Sequence, residues 1–101
     1  QMQRLLELGG NDPLTLRDAA IMELIYSSGL RLAELISLDL QDLDLRDAML
    51  EVTGKGAKTR RLPVGSKALE AVARWLKVRG TLARPDEQAL FVSNRGTRIH
   101  P

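Results

Sequence analysis

The chain has 101 residues, 44% of them hydrophobic and 28% charged, with a formal net charge of +2. That length permits one modest core, burying about two thirds of the unfolded surface, and the balance excludes a disordered or collagen-like chain. The absence of cysteine excludes disulfides, thiolate nucleophiles and cysteine-ligated zinc, and fits a reducing, cytoplasmic setting.

No apolar run approaches the roughly 20 residues of a membrane helix, and Gln1 to Leu8 lacks the basic start and apolar stretch of an export signal. A soluble chain with no membrane partner is expected. Charge is unevenly spread: Lys55, Lys58, Arg60 and Arg61 are interrupted by no acid, whereas Asp39, Asp42, Asp44 and Asp47 share their stretch with Arg46 alone. A basic lobe on a nearly neutral body follows.

Asn11, Asp12 and Pro13 break the chain, so residues 1–10 read as a helix or linker leading into a domain that occupies 11–101. Leu14, Leu16, Ala19, Ala20, Met22, Leu24 and Ile25 then predict a largely buried helix stopped at Gly29. Leu32, Leu35 and Ile36 recur at helical spacing and predict a second, shorter helix across a tight corner, with Leu32, Leu35, Ile36 and Leu38 toward the core. The aspartate-leucine stretch favours turns and caps, with a short strand around Leu43 to Leu45.

Met49 to Thr53 and Lys58 to Val64 are strand-like runs on either side of Gly54-Lys55-Gly56-Ala57, which predicts a β-hairpin with a glycine turn. Ser66 is placed to cap a helix running to about Arg79, with Leu69, Val72, Ala73 and Leu76 on one face and Trp75 beside it. Ala89 to Val92 reads as a strand or extended segment before a turn at Ser93-Asn94-Arg95-Gly96, and Trp75 and Phe91 are expected in the core.

The order helix, Gly29-Leu30-Arg31-Leu32-Ala33-Glu34-Leu35, aspartate-leucine stretch, Gly54-Lys55-Gly56-Ala57-Lys58 and Arg60-Arg61-Leu62-Pro63 closely resembles the tyrosine recombinase, or phage integrase, family, with the Xer branch nearest. The likeness covers about Asp12 to Ile99. It implies an α+β, mainly α, fold: the N-terminal half of a recombinase catalytic domain, with a small antiparallel sheet, whose hairpin carries the lysine, packed beside the helices. It also implies DNA cutting and rejoining through a 3′-phosphotyrosyl intermediate, for chromosome dimer resolution or integration, on double-stranded DNA and among further recombinase subunits, with no metal or other cofactor. The family's first catalytic arginine falls on Arg31 and its catalytic lysine on Lys55. Its His-x-x-Arg motif, further His or Trp and nucleophilic tyrosine have no counterpart here, so the 101 residues alone are expected to be inactive and to expose apolar surface. Tyr26 falls where the family has packing residues, and His100 precedes the family's catalytic histidine and reads as an exposed spectator.

The chemistry suits those residue types. A phosphodiester gathers negative charge on its non-bridging oxygens as it becomes five-coordinate, and a guanidinium offers paired donors to that charge; the plainer reading of Arg31 is a surface arginine paired with Glu34 at i, i+3. The leaving 5′-oxygen needs a proton, which a lysine on a turn can supply; the plainer reading of Lys55 is a solvated lysine between glycines that shape the hairpin. For Lys58, Arg60 and Arg61, DNA phosphate contacts and plain solvated charge stand as alternatives. Glu34 is expected to brace the corner by pairing with a nearby cation. A Walker motif ending at Lys58-Thr59 fails, because Val52 and Ala57 stand where glycines are needed. A helix-turn-helix reader over Ile21 to Leu38 fails because its second helix is too apolar. A noncatalytic DNA-binding or regulatory module on the same fold is the alternative that sequence leaves open.

Overall fold

Asp12 starts the first helix as its residue type suggests: its carboxylate accepts the Thr15 backbone N–H at 3.2 Å, and Pro13 fills a position whose N–H needs no partner. In this computed structural model, which describes residues 12–54, 56 and 58–100, helix α1 spans Pro13–Ser28. The leading segment 1–10 and Lys55 lie outside the described residues. Gly29 ends α1 in the left-handed conformation at φ 66°, its N–H returning to the Ile25 carbonyl at 3.0 Å. Helix α2, Leu32–Ile36, follows the corner, and a short 3-10 turn at Leu40–Asp42 leads into strand β1, Leu43–Asp44.

Strands β2 (Met49–Thr53) and β3 (Thr59–Pro63) complete a three-stranded antiparallel sheet in the order β1-β2-β3. Leu50 and Val52 of β2 are buried while Glu51 and Thr53 are exposed, the alternation of a sheet with one covered face. The register pairs Leu50 with Leu62 and Val52 with Arg60, which puts Arg60 on the covered face; Glu51 pairs with Arg61 on the open one. The Gly54 N–H donates to the Lys58 carbonyl at 2.8 Å, carrying the ladder one step toward the tip, and Gly56 there adopts φ 72°.

Helix α3, Ser66–Arg79, packs along α1. Its cap is Gly65 rather than the expected Ser66. Ser27 of α1 accepts the Gly65 N–H at 2.8 Å, and a Cβ on Gly65 would lie 2.9 Å from that hydroxyl, so the approach of α1 decides the position. The buried face is also rotated from the expected one: Ala68, Ala71, Val72, Trp75 and Arg79 are covered, with Leu69, Ala73 and Leu76 at its edges. Two alanines let α1 come close, and Trp75 fills the space beyond them, stacked on Phe91 at 6.2 Å and donating to the Leu90 carbonyl at 2.8 Å.

Ala89–Val92 is fully buried and extended, joined to the rest by isolated bridges, Asp39 to Ala89 and Val92 to Arg98. It meets the Leu38–Leu40 stretch through Leu40 N–H to Gln88 and Leu90 N–H to Leu38, both 2.9 Å. Three expectations about burial fail. Helix α1 buries only Ala20 and Leu24, because Ala19, Met22 and Tyr26, three and four residues apart, share a face that nothing described covers. Tyr26 is accordingly 92% exposed rather than packed, and Leu32, expected toward the core, sits on the open side of α2 at 55%.

Candidate functional site

Where α1 stops at Gly29, the chain turns through buried Leu30 and presents Arg31 as the extended residue that begins α2. The side chain of Arg31 is exposed, and its guanidinium forms no ion pair or hydrogen bond with any described residue. The plainer alternative, a surface pairing of the Arg31 side chain with Glu34, does not form, and that carboxylate is engaged elsewhere. Its Oε1 accepts the Arg31 backbone N–H at 3.1 Å, closing the first turn of α2, and an Arg60 Nη2–H at 3.3 Å, while Oε2 accepts from Arg60 Nη1 at 3.0 Å. Glu34 thus braces the corner as its position suggested, with Arg60 as the cation.

The brace sets the local electrostatics. The Arg60 guanidinium, and after it the Arg31 backbone N–H, hold the Glu34 carboxyl below its ordinary value against a smaller opposing effect of burial. Glu34 and Arg60 therefore cancel each other, and the uncompensated positive charge at this corner belongs to Arg31. A shallow cleft of about 280 Å³ opens beside it, lined by Arg31, Ala33, Glu34, Ser37, Thr53 and Gly54. Both motifs meet there: residues 31–37 form one wall and the last residues before the hairpin tip form the other. A larger open cleft of about 530 Å³, among Arg17, Ser93, Asn94, Arg95, Thr97 and His100, contains neither motif.

Of the five residues singled out from sequence, Arg31 lines the first cleft and Arg60 stands behind it, locked to Glu34. Lys58 and Arg61 are exposed, Lys58 at the base of the tip and Arg61 on the open face of β3 opposite Glu51. Lys55 lies outside the described residues; its neighbour Gly54 is in the cleft wall. His100 is exposed in the other cleft. Sequence reasoning missed the arginines that hold the fold, Arg79 and Arg98, whose partners are distant carbonyls rather than neighbours in the chain. No cluster of three or more metal-ligating side chains occurs among the described residues, and none of the described helices is long and apolar enough to cross a membrane.

The phage integrase family model matches residues 1–101. The tyrosine recombinase XerC of Vibrio parahaemolyticus is 54% identical over 99 residues, covering 98% of this chain and 32% of the relative. That of Alcanivorax borkumensis is 56% identical over 104 residues, covering all of this chain and 34% of the relative. The chain therefore spans about a third of the length of these relatives. Among solved structures, the XerA recombinase superposes with a TM-score of 0.78 at 29% identity, over 97% of this chain and 35% of its own. The XerH site-specific recombinase bound to its difH substrate superposes at 0.73 with 23% identity, over 87% of this chain and 26% of its own, a likeness of fold.

Proposed function

The chain belongs to the phage integrase family, and from that premise we propose that it forms the part of a tyrosine recombinase catalytic domain that holds the scissile phosphate and protonates the leaving group. Arg31 is the phosphate ligand and Lys55 the general acid. The observation that carries the reading is the open guanidinium of Arg31 above a cleft walled by the hairpin base, with the nearest carboxylate, Glu34, taken up by Arg60. An arginine whose donors are unspent, beside an acid that cannot neutralise it, is suited to an incoming phosphate.

The reaction in this reading is two successive transesterifications on double-stranded DNA. A tyrosine oxygen, supplied from outside these 101 residues and having passed its phenolic proton to solvent, attacks phosphorus as the bond to the 5′-oxygen breaks. Arg31 draws the negative charge that gathers on the non-bridging oxygens. Lys55 gives its proton to the departing 5′-oxygen, which leaves as a hydroxyl, and the 3′-phosphotyrosyl link conserves the bond energy. A 5′-hydroxyl from a partner duplex then attacks that link, its proton passes back to Lys55, and the tyrosine is released. No metal or nucleotide takes part. Lys58 and Arg61, exposed near the hairpin, add phosphate contacts that are insensitive to sequence and sensitive to salt. Further subunits on the DNA, a role in chromosome dimer resolution or integration, and a cytoplasmic setting belong to the same reading, as does inactivity of the 101 residues by themselves.

The test is strand cleavage by the full-length recombinase on a nicked duplex that traps the covalent adduct. Wild type is expected to accumulate adduct, and Arg31→Ala to lose it. Lys55→Ala is expected to lose it on ordinary DNA and recover it when the bridging 5′-oxygen is replaced by sulfur, which leaves without a proton. Cleavage intact in both variants would overturn the site; no adduct from wild type on a verified target would favour the noncatalytic module.

A further inference from the structure

Arg60 departs most from its expected role. It belongs to the basic run that reads as a DNA-facing patch, yet its strand position, opposite buried Val52, turns it to the covered face of the sheet. There its two terminal nitrogens meet both oxygens of Glu34, a carboxylate only 13% exposed. Glu34 at the same time accepts the backbone N–H of Arg31. One carboxylate thus joins β3 to the first turn of α2. The Arg60 guanidinium also lies against Gly54, whose Cβ position would be 3.6 Å from Nη1 and 3.7 Å from Glu34 Oε2, so the brace sits directly beneath the start of the hairpin tip.

Other fixed points of the sheet lie at its opposite end: Ser28 Oγ donates to the Pro63 carbonyl at 3.0 Å, and Ser27 holds Gly65. At the tip end, the ion pair is the one side-chain tie between the hairpin and the helices among the described residues. Without it, the strands would remain paired, but their ends at Gly54 and Thr59 would have no side-chain tie to α2.

We propose that Arg60 is a positioning residue rather than a DNA contact: through Glu34 it ties β3 and the adjoining Gly54 to the start of α2, and so serves the proton donor that follows Gly54 in the chain rather than binding phosphate itself. The inference rests on the reading of Lys55 as the general acid. Losing the lock leaves Arg31 at the start of α2, because Glu34 still accepts its backbone N–H, but it frees the Glu34 carboxylate to pair with the Arg31 guanidinium and removes the tie between α2 and the strand that leads to the proton donor.

Full-length recombinase carrying Arg60→Ala, Arg60→Lys or Lys55→Ala tests this on three readouts. On ordinary nicked DNA, Arg60→Ala is expected to cleave about 10- to 100-fold more slowly, within what a misplaced general acid costs, and Arg60→Lys to recover part of the rate through a single bond to Glu34. On the 5′-bridging sulfur duplex, Arg60→Ala should recover most of its lost rate, since no proton is needed there, the remaining deficit being the cost of a Glu34 carboxylate free to pair with Arg31. The slope of log binding constant against log salt should be unchanged, whereas a lost phosphate contact would lower it by about one. In the DNA-free protein, hydrogen exchange over residues 53–59 should quicken in Arg60→Ala and not in Lys55→Ala.

A lowered salt slope with unimpaired cleavage would overturn the proposal in favour of a phosphate contact, and an equal defect on both substrates would overturn it in favour of general damage. If Lys55→Ala is not rescued by sulfur, the general-acid reading of Lys55 fails. Hydrogen exchange then decides whether Arg60 restrains the tip, and unchanged exchange there sinks the lock as well.

Discussion

Two regions of this molecule use the same side chain in opposite ways. Around Ala89 the guanidinium of Arg79 is buried, donating to the Ala89 carbonyl at 2.6 and 3.1 Å and to that of Glu87 at 2.9 Å. Close by, Arg98 donates to the carbonyls of Ile36 and Leu38 at 2.8 and 3.1 Å and pairs with Asp39. At the corner after α1, by contrast, Arg31 stands in the open with none of its side-chain donors taken by a described residue. A guanidinium whose donors are spent on backbone carbonyls is a fastener for chain segments that no regular sheet joins. One whose donors are unspent, beside a neutralised acid, is a binding group. Arg60 stands between these cases, exposed in part yet with both terminal nitrogens bonded to Glu34.

The comparison predicts a clean separation of effects. Arg31→Ala should lower adduct formation by about 10²- to 10³-fold, the usual result of removing one donor to developing oxyanion charge, while leaving the melting temperature of the full-length protein within a degree or so of wild type, since an exposed, unpaired side chain contributes little to stability. A melting temperature that fell along with the activity would place Arg31 among the fasteners. Arg79→Met keeps length and apolar volume but strips three hydrogen bonds from two carbonyls, that of Ala89, which is buried, and that of Glu87, which is partly so. Each unsatisfied group costs about 1–3 kcal/mol, so a total destabilisation of roughly 2–4 kcal/mol is expected in urea unfolding, with residual cleavage by the folded fraction unchanged.

A smaller effect is expected at the turn that delivers Arg98 to its carbonyls. Gly96 adopts φ 82°, and a Cβ there would lie 2.5 Å from the Leu82 carbonyl oxygen, a rigid neighbour that cannot give way. Gly96→Ala should therefore cost about 1–3 kcal/mol from backbone strain and displacement, measurable as a lower urea midpoint with little change in slope. An unchanged midpoint would mean that this turn, and the Arg98 anchor with it, moves freely.

What sequence could and could not reveal follows the same division. The corner was legible because its signals are local: Gly29 stops one helix, Arg31 precedes the next, and Glu34 lies one turn on. The hairpin was legible from alternation and glycines, and its two strands end within a residue or so of the expected places. The fasteners were not, because Arg79 and Arg98 take their partners from carbonyls 10 and about 60 residues away, and nothing in a local pattern marks a backbone acceptor. The exposed Met22 was misjudged for a related reason, whereas Tyr26 was expected to pack only because the family resemblance set it among packing residues. Periodicity reports which residues are apolar, not which face a neighbouring element covers.

The finest division lies between two glutamates, one in each region, both held below the ordinary carboxyl value of 4.5. The Arg60 guanidinium is the main cause for Glu34, whereas Glu87 owes its shift first to the Ala89 backbone N–H at 3.0 Å, with the Arg98 backbone N–H at 3.3 Å adding to it. A carboxyl with a depressed folded pKa contributes stability that is present above the unfolded value and lost as pH falls through the folded one. Stability should therefore begin to decline near pH 4.5 and continue below it, and Glu34→Gln and Glu87→Gln should each flatten that decline. Salt separates the two. Raising ionic strength to about 1 M shortens the screening length to about 3 Å and weakens the ion pair through its half-exposed Arg60 side, so the part of the acid response that Glu34→Gln removes should shrink. The part that Glu87→Gln removes should persist, because hydrogen bonds to backbone N–H groups are formed within the chain and screened far less. Equal loss of both parts in salt would mean that Glu87 is governed by the charge of Arg98 rather than by the backbone around Ala89.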